Sequence, residues 1–182
     1  IRSIPTVMLF RNGEVVDQFV GVQPESAIRA MLDRHLAAPE APGGTPDLRT
    51  AAESQLERRD AAAAAEAIAE LMAAQPEHPA LPSLRARLAF LEAAVAEPDV
   101  PSLRARLERD PADGAARHAL AAHHALAGDY ATALTEWLEL MRRDRRFGDD
   151  LARRSLLAAF DVLGEANELV LATRRRMASL LH

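Results

Sequence analysis

The sequence predicts a mainly α-helical protein preceded by one small β-hairpin, and three observations predict it. Alanine makes up about a fifth of the 182 residues, aromatics only 4%, and glycine only 8 positions, a balance suited to closely packed small-residue helices rather than a β-sandwich. Strand-forming runs are confined to residues 4–20. From residue 48 onward the chain reads as short helical stretches separated by Pro, Gly and Asp.

Taking the elements in order, Thr6-Val7-Met8-Leu9-Phe10 and Val15-Val16-Asp17-Gln18-Phe19-Val20 flank Arg11-Asn12-Gly13-Glu14. An Asn-Gly pair between two β-rich runs is a hairpin signal, because the tight turn needs positive φ. Gly21 ends the second strand, and Gln23-Pro24-Glu25-Ser26 opens a helix with apolar positions Ile28, Met31, Leu32, His35 and Leu36. It closes before Ala37-Ala38-Pro39. Residues 39–46 hold three of the 11 prolines and two glycines, which is linker chemistry. The expected organisation is a small α/β part over 1–37, a linker over 38–47 and a helical domain over 48–182.

The helical domain carries an internal period. Ala64-x3-Ile68 followed by Pro76 recurs 69 residues later as Ala133-x3-Trp137 followed by Arg145, with Leu103 and Pro111 between, so half the interval is close to 34 residues. The clearest unit is Arg117-x2-Leu120-Ala121-x2-His124, then Gly128-Asp129-Tyr130, Ala133, Trp137 and Leu140. It resembles a tetratricopeptide repeat, whose paired helices need small residues where they cross and a large one filling the gap. His124 stands where the repeat usually has Tyr, and is read as a core substitute for an aromatic ring; Arg145 stands where it usually has Pro. Leu48-x2-Ala51-Ala52-x2-Gln55 with Ala64 and Ile68 forms a weaker first unit.

Pro82-Ser83-Leu84-Arg85-Ala86-Arg87-Leu88 repeats literally as residues 101–107, 19 positions on. Both copies are read as helix starts, with the Ser hydroxyl as N-cap. Pro98 and Pro101 leave the second helix of this middle unit short. Leu151, Leu156, Leu157, Phe160 and Leu163 form one late stripe; Leu169, Val170, Thr173, Met177, Leu180 and Leu181 form another. Gly164 divides the two, which are expected to make a closing antiparallel pair.

Bulk chemistry excludes several functions. A net charge of −5 argues against nucleic-acid or anionic-membrane partners, since both need a basic face to release counterions. The sequence has no run of 18 apolar residues, so no membrane span is expected. All 22 basic residues are Arg, and no function is drawn from that. Zero Cys removes disulfides, thiolate zinc sites and thiol redox chemistry from this stretch, and fits a reducing compartment. The expected location is cytoplasmic. The first residue is Ile1, without an initiator Met or a signal pattern, so the chain is expected to begin inside a longer gene product.

No active site is legible. His118, His123 and His124 are spaced by five, six and one, not the i, i+4 that puts two imidazoles on one helical face, so no metal is expected. Asp149-Asp150 read as helix N-terminal charge. Arg142-Arg143-Asp144-Arg145-Arg146 and Arg174-Arg175-Arg176 fall near helix C-termini, where cations suit the macrodipole; the alternative is a docking surface for an acidic partner. Phosphate loop, nucleophile elbow and metalloprotease helix are all missing, so no catalytic residue and no cofactor are expected.

Ile4-Pro5-Thr6, the strand, the Asn-Gly hairpin, Phe19-Val20-Gly21 and the closing helix resemble the C-terminal part of a thioredoxin fold. The resemblance implies a cis Pro5, with Ile4, Pro5 and Thr6 beside a substrate groove. Joined by a Pro-rich linker to tetratricopeptide-like helices, it resembles the YbbN-type thioredoxin-like co-chaperones, or chaperedoxins. Its most specific pieces are Ile4-Pro5-Thr6, Gly21-Val22-Gln23-Pro24-Glu25-Ser26 and the tail from Leu163-Gly164 to Leu181. The family resemblance implies a non-enzymatic holdase that binds unfolded client proteins and delivers them to the chaperonin GroEL. Arg174, Arg175, Arg176, Leu180 and Leu181 become the chaperonin-docking tail. The first half of a thioredoxin module, with its cysteine motif, is not in this sequence. Thiol protection therefore depends on an upstream cysteine. The hairpin edge left open is expected to pair with another copy, pack on the helices, or meet an upstream fragment. Two other readings stay open: a thiol–disulfide oxidoreductase with upstream catalytic cysteines, and a tetratricopeptide scaffold gripping one specific peptide.

Overall fold

The computed structural model describes residues 6–11, 14–21, 24–25, 27–29, 31 and 47–180. The chain divides into two compact units, Ile1–Pro46 and Asp47–His182.

In the first unit, β1 (Thr6–Arg11) and β2 (Glu14–Val20) form an antiparallel hairpin. Thr6 pairs with Val20 and Leu9 with Asp17, but Phe10 pairs with Val15, so Val16 is an extra residue and makes a bulge. Val7 and Met8, adjacent and therefore on opposite faces, are both exposed. Gly21 takes φ +87°, the left-handed turn that ends β2. Glu25, Ala27–Arg29 and Met31 are helical, as the periodicity predicts, and Met31 is buried. Ile4 and Pro5, with the expected cis bond, lie outside the described residues, as do Asn12-Gly13, positions 32–46 and Leu181.

The second unit is all helix: α1 (Leu48–Glu57), α2 (Ala61–Ala74), α3 (Leu81–Ala96), α4 (Val100–Arg109), α5 (Gly114–Leu126), α6 (Tyr130–Arg143), α7 (Leu151–Leu163) and α8 (Glu168–Ser179). Four of them start on a short polar side chain that accepts from a first-turn N–H: Asp60 from Ala63, Asp113 from Ala116, Asp129 from Thr132 and Asn167 from Leu169. The repeated Pro-Ser-Leu segments do begin α3 and α4, but Ala80 and Asp99 hold the N-cap positions. Ser83 and Ser102 fall inside the first turn, because Pro occupies the start of each helix, where its missing N–H costs nothing. Asp149 and Asp150 likewise do not cap α7 through their side chains; both sit at positive φ after Gly148.

Helix α3 organises this unit. Leu81, Leu84 and Leu91 join α1 and α2 in one core, while Ala86, Phe90 and Ala94 join α5, α6, α7 and α8 in another. A helix apolar on both sides belongs between layers. With both faces occupied, α3 does not form a hairpin with α4, which packs instead on α5 around Leu103. Nor do α7 and α8 close as a simple pair: the backbone of α8 lies against α6. The α5–α6 hairpin follows the repeat pattern, with Ala121 and Ala133 fully buried between the helices and Trp137 at 0% exposure. His124, expected in place of a core aromatic ring, does not fill the core: it is half-buried and its Nδ1 faces Asp129 at 3.3 Å. An imidazole beside a capping carboxylate gains more there than it would unpaired in an alanine-rich interior.

Candidate functional site

The predicted docking tail begins at α8, which Asn167 caps and Glu168 supports from the first turn. Val170, Thr173 and Met177, spaced by three and four, turn inward. Outside that stripe stand Leu169 and Leu171, 38% and 48% exposed and on different flanks of the helix, and Arg174, Arg175 and Arg176. Leu169 therefore leaves the inward stripe assigned to it from spacing, because Val170 takes the central inward position.

The three arginines differ. Arg174 is tied to the fold: it donates to Glu165 at 3.2 Å and lies over the Phe160 ring, 5.4 Å from its centroid. Arg175 and Arg176 are exposed and make no ion pair among the described residues. Arg176 borders a hollow of about 160 Å³ between α6 and α8, with Leu138, Glu139, Arg142 and Leu180. Leu180 is half-buried against the core. Across that hollow, Arg142 and then Arg143 donate to Glu139 and hold its carboxyl down at about 2. Glu139 thus offsets part of the Arg142–Arg146 run, while Arg145 and Arg146 make no ion pair among the described residues.

At the other predicted site only Thr6 is described, as the first residue of β1 opposite Val20. The three histidines go separate ways. His118 Nδ1 accepts from Trp137 Nε1 at 3.2 Å, and His123 Nε2 donates to the Glu97 carbonyl at 2.8 Å. Among the described residues no group of His, Asp and Glu is arranged to hold a metal ion. No described helix is long and apolar enough to cross a membrane.

A feature not read from the sequence is an open groove of about 570 Å³ over α3, between the α2–α3 turn and α7. Met72, Pro76, Pro79, Ala86, Ala89 and Ala158 line it together with the polar Glu77, His78, Arg85 and Asp161. Only the Ala spacing on α3 hinted at it, and small residues serve equally for helix contact.

The tetratricopeptide repeat family model matches residues 93–182. Thioredoxin 2 of Chlorobaculum tepidum is 50% identical over 36 residues, covering 20% of this chain and 33% of that protein. Thioredoxin of Staphylococcus haemolyticus is 47% identical over 36 residues, covering 20% and 35%. Thioredoxin 1 of Synechococcus elongatus is 50% identical over the same length, covering 20% and 34%. The chain spans about a third of the length of these relatives. It joins a thioredoxin-like stretch to tetratricopeptide-type helices, an architecture suited to binding other proteins.

Proposed function

We propose that this chain, joining a thioredoxin-like stretch to tetratricopeptide-type helices, works as a co-chaperone: a holdase that binds unfolding clients without ATP and hands them to the chaperonin GroEL. The observation that carries the reading is the outer side of α8, where the exposed Leu171 stands one turn before Arg175, and Arg175 and Arg176 make no ion pair among the described residues. Apolar side chains beside free cations suit docking on a partner with an acidic, apolar patch. Client segments have a place in the groove over α3, which is open and of mixed lining, with Met72, Pro76 and Ala86 beside Glu77, Arg85 and Asp161. The 182 residues bind rather than catalyse in this reading, and the setting is the cytoplasm.

The hairpin contributes through its exposed Val7, Met8 and Val15. Apolar side chains on both faces of a two-stranded sheet suit cover by another copy or by further thioredoxin-type strands. Ile4, Pro5 and Thr6 are the proposed contacts to extended substrate there.

Light scattering of a heat-unfolded client tests the holdase reading. Equimolar chain should suppress the rise in scattering, and unchanged scattering contradicts it. The thioredoxin likeness favours a second reading, thiol–disulfide exchange by the whole protein. It requires cysteines that these 182 residues do not contain, and disulfide reduction by a longer form bearing Cys-x-x-Cys would select it.

A further inference from the structure

A second hollow, of about 260 Å³, lies where the end of α1, the middle of α3 and the α5–α6 turn meet. Its apolar lining is Leu56, Phe90 and Leu126; its polar lining includes Arg59, Arg87, Tyr130 and Glu57.

Arg87 is the unusual member. Among the arginines whose side chains are described, only Arg87, Arg106 and Arg117 are half-buried. Arg106 is paired with Glu97 and Asp113, and Arg117 with Glu136. Arg87 has neither an ion pair nor a side-chain hydrogen bond among the described residues. No buried side-chain nitrogen or oxygen lacks a partner among the described residues, so the Arg87 donors remain open to solvent and free to take a carboxylate.

Arg59 stands on the same hollow at φ +58°, a left-handed position where a long side chain is uncommon. Burial pushes the Tyr130 hydroxyl up, so it stays a proton donor. Glu57 offsets part of the positive charge.

We propose that this hollow receives an acidic–apolar segment of a partner protein, a side-chain carboxylate meeting Arg87 and Arg59 while the neighbouring apolar side chain lies on Leu126, the partly exposed member of the apolar lining. Two guanidiniums beside a glutamate, on a chain of net charge −5, do not suit a phosphate backbone. The site deepens the protein-binding reading above and rests on it.

The test uses two end-blocked, dye-labelled octapeptides, alternating Asp-Leu and alternating Asn-Leu, titrated with the full chain and followed by fluorescence anisotropy. The Asp-Leu peptide should bind roughly tenfold or more tightly than the Asn-Leu peptide. Arg87→Gln should abolish that difference, and Arg104→Gln, on the exposed side of α4, should keep it. Equal affinity for the two peptides overturns the proposal, as does undiminished discrimination by Arg87→Gln. If Arg87→Gln lowers the melting temperature, Arg87→Lys and a rise from about 0.1 to about 0.5 M salt on the unmodified chain decide instead. Both should shrink the difference, and a difference unmoved by either overturns the site. Client aggregation suppressed by a chain that does not separate the peptides removes this site alone. Peptide discrimination by a chain that suppresses no aggregation leaves the site standing and removes the holdase reading.

Discussion

Phe90 and Trp137 stack with ring centroids 4.9 Å apart and planes 30° from parallel, joining the central α3 to α6. The indole is fully buried and donates to His118 on α5. One residue therefore fastens three helices. Trp137→Ala should cost about 3–5 kcal/mol, because the cavity lies between elements that cannot collapse together. Urea denaturation measures it, and a loss below about 1 kcal/mol would contradict the place of Trp137 in the core.

His118 gives a pH dependence. Burial first, and the nearby Arg154 second, push its imidazole below the usual value. The folded chain therefore keeps it neutral, while the unfolded chain takes up a proton below about pH 6.5. Its contribution is fully present above that value and falls as pH drops through it, since the unfolded state binds more protons there. Melting temperatures between pH 7.5 and 5 should decline, with a shallower decline in His118→Asn.

Glu139 acts in a more acidic window. Arg142 first, with Arg143, holds its carboxyl down from 4.5 to about 2. Its stabilisation is present above about pH 4.5 and is lost as pH falls toward 2. Glu139→Gln should flatten the acid limb of the stability curve in that range without altering the limb near pH 6.

Gly114 opens α5 with the Phe147 ring against it, and an added Cβ would lie 2.9 Å from ring carbons. Gly114→Ala should therefore destabilise by about 1–3 kcal/mol, overpacking outweighing the helix propensity gained. Pairing it with Phe147→Leu should recover part of the loss, and fully additive losses would deny the contact.

Asp113 holds two partners, the Ala116 N–H and the Arg106 guanidinium. Asp113→Ala should cost about 1–2 kcal/mol in a urea titration. Asp129→Ala, which removes a more exposed cap, should cost less.

The parts of the fold legible in the sequence are those with local causes. The hairpin strands follow from β-rich runs about Asn12-Gly13, and the α5–α6 pair follows from Ala121, Ala133 and Trp137 at repeat spacing. Helix α3 was legible as a helix but not as the centre of the unit. Its apolar positions face two cores, so they trace no single stripe, and its contact with α7 has no sequence-local signature. In the tail, spacing alone located Val170, Thr173 and Met177 inside. It did not separate Arg174, held by Glu165 and Phe160, from the free Arg175 and Arg176, because that depends on where α7 ends. The hollow at Arg87 was invisible for the same reason, since its lining comes from four helices.

On the co-chaperone proposal, the outer side of α8 docks on the chaperonin. The direct measurement is co-elution with purified GroEL on a sizing column, comparing the intact chain with Arg175→Glu/Arg176→Glu. Those two exposed, unpaired positions leave Val170, Thr173 and Met177 in the core untouched. The intact chain should co-elute and the charge-reversed chain should not, with the melting temperature unchanged. Equal co-elution of both chains, or none by the intact chain, would contradict the proposal.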